Sequence, residues 1–248
     1  MKRKHRSIKS SVPCNLLLGI ARKLDLPQDQ IKLQHHLENR RHLGDDDTVL
    51  HVAIRTKLSR QLVRELLKLG SDVNAKTKKL ETPLMCAVSK ELCADPEVVR
   101  EILYYNPILE QCDKSGKTTL MLAIARDQAT RNNNDAKYSP VINPSPDSIA
   151  TLLLDCGYNV KFDDLKKTHH TMYALKAVWR DLAATIGCGR DGLYVHHNPK
   201  SLKVRSREVV RRAYPGIMLH RFLEFLKVPP EIQQFVLLAE LLKVDEFE

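Results

Sequence analysis

The chain has 248 residues, 43% of them hydrophobic, enough to bury a sizeable core in one elongated domain or two small ones. Nine glycines and 5% aromatic residues argue against a β-sandwich or a collagenous chain, and no apolar run reaches the roughly 18–20 residues of a membrane span. The net charge of +10 raises nucleic acid as a partner, but residues 1–10 hold five basic and no acidic side chains, residues 200–243 nine basic and four acidic, and residues 11–199 hold 26 against 23. The long middle of the chain is therefore close to neutral, without a basic stripe to follow phosphates, and nucleic-acid binding is only a minor alternative.

In chain order, residues 1–10 (MKRKHRSIKS) form a basic tail, expected to be a solvated disordered arm, with a nuclear-localisation patch as the alternative. The apolar stretch Leu16–Ala21 is too short for a signal peptide and runs straight into Arg22 and Lys23. Together with Ile31–Leu37 it predicts a first helix pair. Three blocks then recur: TVLHVA at Thr48–Ala53, TPLMCA at Thr82–Ala87 and TTLMLA at Thr118–Ala123, spaced by 34 and 36 residues. Each is followed by apolar residues at helical spacing: Leu62, Val63, Leu66 and Leu67, then Val98, Val99, Ile102 and Leu103, then Ile149, Leu152, Leu153 and Leu154. After each second helix stands a residue suited to a left-handed turn, Gly70, Asn106 or Gly157. The threonines that open the blocks are positioned as helix N-caps.

This pattern resembles ankyrin repeats closely across residues 45–160, with degenerate capping units over the rest of 11–195. The last cap is expected from Thr171–Ala177 and Val178–Ile186. The family implies an all-α solenoid of stacked helix pairs with hairpin-like turns. In it, His51 would tie neighbouring loops together, and the concave inner face and hairpin tips would bind a protein target. Lys76, Lys78 and Lys79 in the first hairpin and Lys114 and Lys117 in the second are the candidate target contacts. Residues 126–147, rich in Asn, Pro and Ser, predict a long loop inserted in the third clear repeat.

No catalytic set assembles. Ser115–Thr119 (SGKTT) mimics the end of a phosphate-binding loop, but Gln111 holds the place of its first glycine, and Asp113, Gly116 and Thr118 fit a hairpin instead. The six cysteines (Cys14, Cys86, Cys93, Cys112, Cys156, Cys188) include no C-x-x-C pair, which suits reduced thiols in an intracellular protein. Cys188, His196 and His197 fit no zinc-ligand spacing, so no metal or other cofactor is expected.

The C-terminal segment carries the sharpest signal. In SLKVRSREVVRR at Ser201–Arg212, Leu202, Ser206 and Val210 recur every four residues on one helix face with Val209 beside them. Lys203, Arg205, Arg207, Arg211 and Arg212 make up the opposite, basic face. Ser201–Arg212 is similar, position by position, to the opening of the SOCS box in ankyrin-repeat and SOCS-box proteins, with Ser206 where that family has cysteine. A second helix with Met218, Leu219, Phe222, Leu223 and Leu226 on its apolar side follows. Leu226-Lys227-Val228-Pro229 then stands where the family has L-P-L-P, with Lys227 in place of the first proline, and a third helix uses Ile232, Phe235, Val236 and Leu237. Residues 200–243 are thus expected to be a three-helix SOCS box. The resemblance implies that Leu202, Ser206, Val209 and Val210 bind the adaptor Elongin C, itself paired with Elongin B. It further implies that Leu226, Val228, Pro229, Ile232 and Phe235 engage a cullin carrying a RING subunit. The chain would then be a non-catalytic substrate receptor of a ubiquitin ligase, cytoplasmic and, if residues 1–10 act as a signal, nuclear as well. The alternatives are a scaffold or inhibitor with no ligase link, and an F-box-like tail recruiting a Skp-type adaptor.

Overall fold

The structure is a computed structural model, and it describes residues 12–38, 47–89, 91–92, 94–134, 148–158 and 202–242. The described residues are helical, with a single antiparallel bridge between Cys112 and Thr118. The first pair is α1 (Val12–Lys23) and α2 (Pro27–Glu38). Then follow α3 (Val49–Arg55) and α4 (Arg60–Lys68), α5 (Pro83–Val88) and α6 (Pro96–Tyr104), and α7 (Thr119–Asn134) and α8 (Ile149–Asp155). The tail comprises α9 (Leu202–Ala213), α10 (Ile217–Phe225), α11 (Pro230–Leu237) and the single turn α12 (Ala239–Leu242).

The pairs stack in two rows. α1, α3, α5 and α7 touch in succession along the inner row, and α4 packs on α6 in the outer row. Each pair buries one apolar stripe, too narrow to be a core by itself; stacking joins them into one cluster that runs from Leu17 to Leu242.

Local chemistry explains the helix ends. Thr82 and Thr118 accept the backbone N–H of Met85 (3.2 Å) and Met121 (3.4 Å), as N-caps do. At Thr48 the partner is His51, whose Nδ1 lies 2.9 Å from the threonine hydroxyl and accepts its backbone N–H at 3.4 Å. His51 Nε2–H donates to the Glu81 carbonyl (3.1 Å), so the imidazole ties the first block to the next hairpin. Burial, the largest influence, holds this ring below the ordinary histidine pKa against the opposing pull of the Glu81 carbonyl. The hairpins are joined as well: Lys114 N–H donates to the Lys79 carbonyl (2.9 Å). Asp113 accepts from the Lys117 N–H (2.8 Å) and the Ser115 hydroxyl, the hairpin that the phosphate-loop mimic was expected to be.

The predicted insertion is shorter than 126–147 at its start, because α7 continues to Asn134. Arg126 is buried and donates to the carbonyls of Ala87 (3.0 Å) and Ala94 (2.6 Å). Asp127 accepts the Ser148 hydroxyl (2.7 Å) and the Ala150 N–H (3.0 Å), so it caps α8 from the far side of the insertion. Both side chains hold the helix open past the point where polar composition alone suggested a loop. The basic tail 1–10, the degenerate last unit and the imagined zinc ligands lie outside the described residues.

Candidate functional site: the tail on the backs of the repeats

The tail lies along the turns that end the outer helices. Asn106, in the left-handed conformation (φ 52°), sends its side-chain amide to the carbonyls of Arg211 and Tyr214, each at 2.7 Å. Those carbonyls belong to the open end of α9, where a helix has no internal partner for them. The Asn106 carbonyl in turn accepts the Gly216 N–H at 2.8 Å. Gly216 has φ 67° and ψ −152°, a conformation close to glycine-only, and a Cβ there would stand 3.5 Å from Val73 and 3.6 Å from the Asn74 amide. Gly157 would place a Cβ 3.5 Å from Glu208 of α9. The tail therefore reaches the turn of every clear repeat in succession.

Arg211 is the electrostatic centre of this seam. It is buried, 7% exposed, and its guanidinium donates to the Leu103 carbonyl at the end of α6 (3.2 Å) and to the Val236 carbonyl near the end of α11 (3.0 Å). Two helix C-termini thus supply the partial negative charge that a carboxylate would otherwise bring. Burial nevertheless pulls its pKa down to about 10, and pushes the neighbouring Cys156 thiol up to about 12, which keeps that thiol protonated and unreactive. Arg207 lies 4.8 Å over the Phe235 ring. The face of α9 expected to be solvated and basic is thus partly inverted: Arg207 and Arg211 point into the protein. Their long stems and delocalised charge make this possible where helix ends and an aromatic face are on offer.

Aromatic packing completes the seam. His220 stacks on Tyr105 (4.8 Å between centroids), meets Tyr104 edge-on (4.9 Å) and donates from Nε2 to the Tyr104 carbonyl (3.2 Å). Arg100 reaches the Leu241 carbonyl (3.3 Å). A cleft of about 220 Å³ remains between the turn at Asn106–Glu110, Gly157 and α9.

Of the predicted adaptor residues, Ser206 is exposed, Val209 is 66% exposed and Val210 is half-buried against the core. The Leu202 side chain lies outside the described residues. Ala213 is also exposed, so the outward stripe is Ser206, Val209 and Ala213. Among the predicted cullin residues, Leu226 and Ile232 are 52% and 51% exposed and Pro229 is exposed; Val228 is half-buried and Phe235 lies beneath Arg207. Met218 and Phe225, 61% and 83% exposed, extend this apolar surface on α10, whose buried side is Leu219 and Leu223. Lys227 has φ 50°. It ends α10 with bonds from Lys227 N–H to Glu224 and from Val228 N–H to Leu223, a geometry that proline, fixed near −65°, cannot adopt. The five hairpin lysines are all exposed, and the Lys114–Lys79 bond brings the two groups side by side. Among the described residues no three His, Cys, Asp or Glu side chains gather as a metal site, and no helix is long and apolar enough to cross a membrane.

The family model for ankyrin repeats matches residues 50–138, in three copies. Residues 50–138 are ankyrin repeats. The architecture is one of protein–protein interaction, in which stacked units offer an extended surface. No curated protein and no solved structure gives a match to the chain.

Sequence reasoning missed Asn106, Arg211 and His220 as the residues that seat the tail. Asn106 carried a signal: it is the one turn residue of the three with a side chain, and Pro107 follows it. Arg211 carried none, since a buried arginine and a solvated one read alike in sequence.

Proposed function

We propose that the chain is a substrate receptor of a cullin–Elongin ubiquitin ligase. The ankyrin repeats would bind a target protein, with the hairpin lysines 76, 78, 79, 114 and 117 among the contacts. The tail would recruit Elongin C with Elongin B through Leu202, Ser206, Val209 and Val210, and a cullin with its RING subunit through the surface around Leu226, Val228, Pro229, Ile232 and Phe235. The observation that carries this function is the outward stripe of α9. A helix seated by two arginines and an asparagine still leaves Ser206, Val209 and Ala213 facing water, with an apolar surface at Met218, Phe225 and Leu226 beyond it. Such a receptor would act in the cytoplasm, and in the nucleus if residues 1–10 serve as an import signal.

The test is co-purification and calorimetry with Elongin B–C. Wild-type chain should bind, while Leu202→Asp and Val209→Asp should not; Val209 is exposed, so its replacement leaves the fold intact. A wild-type chain that fails to bind ends the proposal. It would leave the second function that the seam favours, a scaffold whose C-terminal helices seal the repeats through Arg211 and Asn106.

A further inference from the structure

We infer that Ser206 is a phosphorylation site for a basic-directed serine kinase, and that a phosphate there releases the adaptor. This inference rests on the adaptor-binding function proposed for α9. Ser206 is the hydroxyl on the outward stripe; it is exposed and makes no hydrogen bond among the described residues. Lys203 stands three residues before it and Arg205 one before, cations suited to a kinase with an acidic substrate groove. The helix start is poorly adapted to its own dipole. α9 has no acidic residue in its first turn, and Lys203 and Arg205 bring positive charge to its positive end. Opening of the helix from that end is therefore eased, and once it passes Ser206 it offers the serine in the extended form that a kinase requires. Once added, the phosphate is electrostatically at home on the free helix, near its N-terminal end and among cations.

On an adaptor-facing stripe the same group is disruptive. Val209 and Ala213 would lose water on binding, and a dianion beside them would have to be desolvated with them. The chemistry is ordinary phosphoryl transfer from ATP. Ser206 Oγ attacks the γ-phosphorus, the bond from the γ-phosphorus to the bridging oxygen breaks, ADP leaves, and the hydroxyl proton passes to the kinase's base. The switch is then removed by hydrolysis through a phosphatase.

The experiment treats the full chain with an arginine-directed serine kinase and Mg-ATP, maps the phosphate by mass spectrometry and measures Elongin B–C affinity before and after. The expected result is phosphate on Ser206, helix content unchanged by circular dichroism, and adaptor affinity reduced roughly tenfold or more. Phosphatase should restore binding, and in Ser206→Ala the affinity measured before and after kinase treatment should be the same, whatever its own value. Absence of phosphate from Ser206, or a phosphorylated chain of undiminished affinity, overturns the switch alone. An unmodified chain that does not bind Elongin B–C overturns the receptor function and the switch with it.

Discussion

The turns that close the outer helices of the first and second repeats perform the same backbone task with different residues. Gly70 (φ 90°) ends α4 with the two return bonds of a Schellman motif, from Gly70 N–H to Leu67 and from Ser71 N–H to Leu66. A Cβ at Gly70 would meet nothing within 4 Å. Asn106 (φ 52°) ends α6 with only one such bond, to Leu103, because Pro107 has no N–H to supply the second. Its side chain and carbonyl instead make three bonds to the tail. One turn simply stops a helix; the other stops a helix and begins an interface. The difference teaches that a repeat can acquire a docking partner by changing the residue at a position whose backbone geometry is already paid for by the fold.

Replacing the arginine that centres the seam should have the largest effect. Arg211→Ala leaves the Leu103 and Val236 carbonyls buried without a donor and opens a void, so urea denaturation should report a loss of about 3 kcal/mol. Asn106→Gly keeps the left-handed turn and the carbonyl bond from Gly216 and removes only the side chain. It should cost about 2 kcal/mol and raise amide exchange in α9 and α10 more than in α3 or α4. Gly157→Ala and Gly70→Ala sharpen the comparison further. Both strain a positive φ by about 1 kcal/mol; a Cβ at Gly157 makes ordinary van der Waals contact with Glu208 and one at Gly70 meets nothing, so thermal melts should find Gly157→Ala no more costly than Gly70→Ala.

The smallest effect is read as pH dependence. Burial lowers the pKa of His51 below its unfolded value near 6.5, so the unfolded chain binds the proton more readily. The stability contributed by the neutral ring is complete above about pH 6.5 and is lost as pH falls from there through the folded-state pKa. Denaturation midpoints compared at pH 7.5 and pH 5 should show this loss in the wild type and a smaller one in His51→Gln.

Much of the repeat body was legible because ankyrin stacking repeats its solution. The threonine caps, the second-helix stripes and the left-handed turns follow a period of 34 to 36 residues, and each recurs with local chemistry that needs no distant partner. The extent of α7 was misread for the opposite reason: Arg126 and Asp127 are satisfied by Ala87, Ala94 and Ser148, groups that only folding brings near. In the tail, the helices and the nearness of Ser206, Val209 and Val210 on one part of α9 followed from spacing. The inward turn of Arg207 and Arg211 did not, because hydropathy assigns a charged residue to water unless something specific receives it.

The amino-acid sequence by itself therefore determined that the chain stacks helix pairs, where the threonine caps open them and the left-handed turns close them, and that an amphipathic tail follows them. Those are matters of periodicity, capping and turn geometry, all decided within a few residues. Only the tertiary structure decided which side of α9 is buried and against what. The deciding groups are the Leu103 and Val236 carbonyls and the Asn106 amide, up to 108 residues away in the chain from those they bind. Helix ends that expose unsatisfied carbonyls can accept a cation or an amide from any part of the chain, and which one arrives is settled by how the elements pack.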